Sequence, residues 1–144
     1  MFDFKKIPWQ VYLRIILGLG GIGGGLYGLI DPASQIEKMK SFAIASPFSW
    51  YTELINSFFL PNATLSINVI NLITLLGGIF FILGLFISLG GILEIIVSFY
   101  WFFGQFSNMI HTVGVIVLIV LSLVVIFSKR SRKYGLDEKI FRTS

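Results

Sequence analysis

The stretch RIILGLGGIGGGLYGLIDP, residues 14–32, carries seven glycines inside an apolar run, at positions 18, 20, 21, 23, 24, 25 and 28. In water each of these would cost a helix about 1 kcal/mol against alanine. In a bilayer the backbone has no other hydrogen-bond partner, so the helix persists. Glycine then lets neighbouring helices approach closely, and Gly20/Gly24, Gly21/Gly25 and Gly24/Gly28 all have small-xxx-small spacing. One face reads Arg14, Gly18, Gly21, Gly25, Gly28, in steps of four, three, four and three. That face is a smooth seam with a single charge at one end, and it predicts the wall of a helical bundle.

The rest of the chain supplies the other walls. Of 144 residues, 56% are hydrophobic and 12% charged, against about 25% charged in soluble domains. The mean hydropathy is +0.88. Between Lys40 and Lys129 the only charged residues are Glu53 and Glu94. Uncharged apolar stretches of about 20 residues are what spanning helices require. The expected fold is therefore an all-α integral membrane protein, a four-helix transmembrane bundle in contact with lipid, with short interfacial helices in the first outer loop. The net charge of +4 then concerns orientation in a membrane, and no nucleic-acid partner is expected.

The expected transmembrane domain covers residues 1–128, with spans at about 11–30, 65–86, 87–103 and 109–127. Lys5 and Lys6 precede the first apolar run as in a signal peptide, but no small-residue cleavage site follows, so the segment reads as a retained span. Asp31-Pro32 and Ser46-Pro47 both read as an N-cap followed by proline at the first helical position. The segment 33–60 is amphipathic at first and then dense in Phe, Trp and Tyr, which suits the interface. Leu60-Pro61 is expected to break it, and a tight turn is expected at Ser88-Leu89-Gly90. Residues 129–144 form a tail with six basic and two acidic residues. Four spans put both ends of the chain on one side. Lys5, Lys6, Arg14 and the basic tail share that side, while only Lys38 and Lys40 lie opposite. The positive-inside rule then predicts a multi-pass protein of the cell membrane with both termini cytoplasmic. Asn62-Ala63-Thr64 is an N-x-T acceptor on the outer side, too near the start of a span to be expected to carry sugar.

Polar and small residues recur at helical spacing on the later spans. They are Asn68, Asn71, Thr74 and Gly78, then Gly91, Glu94, Ser98, Trp101 and Gln105, then His111, Gly114 and Ser122. With the Arg14 face they predict four polar sides converging on one interior. Glu94 is the first candidate for chemistry, since a carboxylate within a span faces the bundle interior and is a functional candidate by default. Arg14 and Glu94 lie at similar depth, roughly 7–10 Å inside by helical rise, so an ion pair that fixes helix docking is the plainer expectation. His111, Asn68, Tyr100 and Trp101 fall near the outer end, where aromatic rings with a few polar groups suit a quinone headgroup. The plainer reading there is an interfacial histidine beside an aromatic belt. With no cysteine and one histidine, this chain is expected to ligate no haem, iron–sulfur centre or metal. The glycine spacings resembling GxGxxG lie in a span with no preceding strand and are set aside.

Several short motifs occur in an order that resembles the DoxX superfamily of four-span membrane proteins. They are Arg14-Ile15, Leu17-Gly18, Gly25, Leu29-Ile30-Asp31-Pro32, Pro47, Trp50-Tyr51, Leu60-Pro61-Asn62, Gly78, Leu83-Gly84-Leu85-Phe86 and Tyr134-Gly135-Leu136-Asp137. Within that superfamily the chain looks most like the DoxD group, the membrane subunits of archaeal thiosulfate:quinone oxidoreductases. Three positions often charged in the family are neutral here, namely Gly28, Thr74 and Ser88, while Glu94 appears where the family is usually apolar or small. The resemblance implies a membrane subunit of a respiratory, quinone-linked complex, helping to pass electrons from thiosulfate to quinone alongside other subunits of that complex. The alternative is a non-catalytic accessory subunit packed against a larger respiratory complex such as a terminal oxidase. A transporter or channel ranks third, because one buried acid supplies little for alternating access.

Overall fold

The computed structural model describes residues 7–132 together with 135 and 136. Six α-helices follow in order: α1 (Trp9–Ile30), α2 (Pro32–Ala45), α3 (Ser49–Leu54), α4 (Ala63–Leu83), α5 (Ile87–Gly104) and α6 (Met109–Phe127). No strand occurs among the described residues. Four helical stretches are long and apolar enough to cross a membrane: α1, the run Ser49–Leu83, α5 and α6. α1, α4, α5 and α6 run alternately up and down, α1 packing on α4, α4 on α5, α5 on α6, and α6 returning to α1. One end of the bundle carries Arg14, the other α2 and α3.

The α1–α4 contact is the most extensive in the molecule. The buried residues of α1 are Val11, Arg14, Gly18, Gly21, Gly25 and Gly28, the seam read from the sequence. It meets α4 backbone to backbone. A Cβ at Gly78 would lie 2.6 Å from the Ile22 nitrogen and 2.7 Å from the Gly18 oxygen, and one at Gly25 would lie 2.8 Å from the Asn71 oxygen. Gly20, Gly23 and Gly24 face outward with nothing against them.

The expected punctuation is corrected at three places. Asp31 does cap α2, its Oδ1 accepting from the Ser34 N–H at 3.2 Å, with Pro32 in the first turn. Ser46-Pro47 does not cap α3. Ser46 closes α2, its hydroxyl accepts from the Phe48 N–H at 3.4 Å, and Phe48 itself precedes the helix. Leu60-Pro61 does not end the helical path either. A π turn at Ile55–Phe59 and a 3₁₀ turn at Leu60–Asn62 carry α3 into α4. Proline has no N–H for the ladder, and a local widening is how a helix continues past one. The Phe59 carbonyl, at the end of the π turn, accepts from the Ser66 hydroxyl at 3.2 Å. The α4–α5 turn lies earlier than Ser88-Leu89-Gly90, at Gly84-Leu85-Phe86. Gly84 has φ 61° and closes α4, with the Leu85 N–H bonded to the Phe80 carbonyl at 3.1 Å, the Schellman pattern that favours glycine.

The core has two apolar clusters. Met39, Phe42, Tyr51, Ile55, Ile67, Ile70 and Val97 fill the α2 end, so α2 and α3 are docked onto the bundle. Phe42 lies flat on Gly104. Phe81, Ile87 and Val125 fill the Arg14 end. Between these clusters the interior is glycine backbone, Asn71 and Glu94. The tail does not separate cleanly from the bundle, because Ser131 and Gly135 are buried. Lys5, Lys6 and most of the basic tail lie outside the described residues.

Packing this tight distinguishes the two glycine faces. Gly78→Ala overpacks the seam and should destabilise the bundle by about 1–3 kcal/mol. Gly20→Ala meets open space and should be neutral or stabilising by up to about 1 kcal/mol. Unfolding in mixed micelles, followed by circular dichroism, checks both.

Candidate functional site

Arg14 and Glu94 do not form the expected pair. The Arg14 guanidinium, 2% exposed, donates from a terminal nitrogen to the Ser131 carbonyl at 2.8 Å. It lies against Gly84 of the α4–α5 turn and against Gly135. The Ser131 hydroxyl is 2.6 Å from both the Val125 and Ser128 carbonyl oxygens. One side chain of α1 thus ties the α4–α5 turn and the residues after α6 to the same point. The physical reason for the missed pair is depth. Glu94 sits seven residues into α5, roughly 10 Å along the axis from the turn that Arg14 touches.

Glu94 occupies a niche made by three helices. Its Oε1 lies against Gly21 of α1 and against Gly77 of α4, where a Cβ would lie 3.0 Å from the same oxygen and 3.2 Å from the Gly90 carbonyl. That oxygen is buried, and it has no hydrogen-bond partner among the described residues. Asn71 is a second polar group of the interior, about two turns further along α1, its amide seated on Gly28 with Nδ2 unpartnered. Of the expected convergent stripe, Asn71, Gly78, Gly91 and Ser122 are buried with it. Thr74 is satisfied within its own helix by the Ile70 carbonyl at 2.9 Å.

The expected quinone cluster is not assembled as a unit. His111 is exposed near the start of α6, where its backbone N–H meets the Asn108 cap. α6 buries only Ser122 and Val125, both in its second half, and His111 is among the exposed residues of its first half. Trp101 packs edge-on against Phe42 and Tyr100, with ring centroids 5.4 and 5.6 Å away. The Lys38 ammonium is 6.0 Å from its ring centre. Asn68 lies elsewhere on α4. Tyr100 lines a cavity.

That cavity is a cleft of about 400 Å³ between α4, α5 and the π turn. Its walls are Phe58, Phe59, Leu65, Val69, Ile73, Ile96 and other apolar groups, with Asn62 and Ser66 at the α2 end. Tyr100 contributes a buried hydroxyl with no partner among the described residues, while its backbone carbonyl accepts from the Tyr51 hydroxyl at 2.8 Å. The cleft opens beside the interrupted helical ladder, where the π turn that precedes Pro61 carries Phe58 and Phe59. The signal in the sequence is a proline inside an unbroken apolar helical pattern, which marks a kink as readily as an end. Comparison with protein-family models, with curated proteins and with solved structures finds no match.

The Arg14 tie makes a measurable claim. A hydrogen bond from a charged donor contributes about 1.5–3 kcal/mol, so Arg14→Met should lower stability by about that much. In a chain ending after residue 128 the same substitution should cost far less. A double-mutant cycle of unfolding free energies reads the difference.

Proposed function

We propose that this chain is a membrane-embedded subunit of a respiratory, quinone-linked complex, of the DoxD kind, and that the cleft beside Tyr100 holds the quinone. One observation carries the reading: a mostly apolar cleft with a single buried, unpartnered hydroxyl at its wall. Its volume lies within the range of small-molecule sites, about 300–1,000 Å³. A quinone ring brings carbonyl acceptors, and the Tyr100 O–H donates to one of them. Phe58 and Phe59 supply aromatic surface, and Leu65, Val69 and Ile96 give an isoprenoid tail an apolar path. Electrons from thiosulfate would reach the quinone through another subunit, this chain supplying the seat and the hydrogen bond.

A second reading, the accessory subunit, draws on a different observation. α6 buries only Ser122 and Val125, and the Gly20, Gly23 and Gly24 face of α1 is open. These surfaces suit close contact with helices of a larger complex, whereas Gly21 and Gly25 serve the fold.

Binding of a naphthoquinone with an isoprenoid side chain to the protein in nanodiscs, followed by tryptophan quenching, tests the first reading. Tyr100→Phe should weaken binding about tenfold, the worth of one hydrogen bond, and Val97→Trp should abolish it by filling the cleft. Unchanged binding in both variants sinks the quinone seat. Loss of co-purifying subunits in Gly24→Leu, with Tyr100→Phe silent, favours the accessory role.

A further inference from the structure

The Glu94 niche has features that packing alone does not require. A leucine or methionine at position 94 would serve a helix contact. Instead a carboxyl oxygen is buried against two glycines and makes no hydrogen bond among the described residues. The surrounding helices supply no counter-charge at this level. α4 has no ionisable residue in Ala63–Leu83, and α5 has only Tyr100 besides Glu94. α6 has only His111, exposed at its far end, and α1 has Tyr12, Tyr27 and Arg14, the last engaged with Ser131. An ionised carboxylate without a partner is costly inside a bilayer-spanning bundle, whereas the neutral acid is not. The glycines also matter for shape: a Cβ at Gly21 or Gly77 would displace the oxygen.

We propose that Glu94 is a reversible proton-binding site of the bundle, a carboxyl that carries one proton in the niche between Gly21 and Gly77 and exchanges it with the medium. The equilibrium is that of a carboxylic acid releasing H⁺ to leave a carboxylate, with no redox partner. It stands independently of the quinone seat, since Glu94 does not line the cleft.

The full-length protein in nanodiscs of zwitterionic lipid gives the test, with dicyclohexylcarbodiimide as an apolar probe. The reagent adds to a protonated carboxyl. The acid's proton goes to one nitrogen, the carboxyl oxygen bonds to the central carbon, and the adduct rearranges to an N-acylurea with nothing lost. The peptide containing Glu94 should therefore gain the mass of one whole reagent, at a rate that falls at least tenfold as pH rises. Glu94→Gln should remove the gain. Labelling of Glu94 no faster than of the exposed Glu37 and Glu53, or at a rate insensitive to pH, overturns the proposal. Infrared difference spectra across the same pH range keep the test decisive if the reagent cannot reach the niche. The wild type should lose one protonated-carboxyl band that Glu94→Gln lacks. A band that never moves with pH, or wild-type spectra identical to those of Glu94→Gln, overturns it as well.

Discussion

The approach of α1 to α4 is the constraint on which the rest of the molecule depends. Gly18 and Gly21 from one helix and Gly78 from the other leave no side chain at the crossing, and main-chain atoms of the two helices pack directly. Lipid tails are as apolar as leucine, so helices in a bilayer gain little by hiding large side chains from them. Close packing of backbone is the available source of association. Once this crossing is set, the level of everything else follows: Asn71 meets Gly28, Glu94 meets Gly21, and α5 docks with Gly90 and Gly91 turned inward.

The layer created in this way is unusual for a protein interior. Large apolar side chains gather toward the two ends, while the interior between them is glycine-walled and holds Asn71 and Glu94, two of the buried polar side chains that lack a partner atom among the described residues. The cleft beside Tyr100 belongs to the α2 end instead, and its origin is different. It opens beside the wide turn that precedes Pro61 and carries two phenylalanines. One feature is a consequence of close packing and the other of a packing defect, so the two do not share residues.

The glycine seam was legible in the sequence because helical periodicity alone fixes which glycines share a face. The limits of α1, α5 and α6 were legible because apolar length fixes them to within a few residues, whereas the second apolar run begins at Ser49, well before residue 65. Partners were not. Arg14 and Glu94 have similar depths on paper, but the Arg14 side chain lies against the α4–α5 turn at Gly84 and finds a carbonyl that only the residues after α6 bring to it. His111 was placed with Tyr100 because the sequence cannot tell that α6 buries only Ser122 and Val125. Pro61 was read as a stop because proline removes one hydrogen bond in either case, and the helical path continues here because a wider turn and a tighter one replace the α-helical ladder around it. Serine preceding proline at Ser46-Pro47 misled for a similar reason: the hydroxyl was used, but to accept from Phe48 within the connection.

The Arg14 bond to Ser131 also has a meaning for biosynthesis. Residues are added from the amino end, so the Arg14 guanidinium is made more than a hundred residues before its acceptor exists. For a helix entering a bilayer, the long side chain would until then reach back to water and headgroups, as cationic side chains near helix ends do. The bond forms only after α6 has been made and the chain has passed Ser131. Closure at this end is therefore tied to synthesis of the residues after α6, and a chain that stops before them leaves α1 without this acceptor.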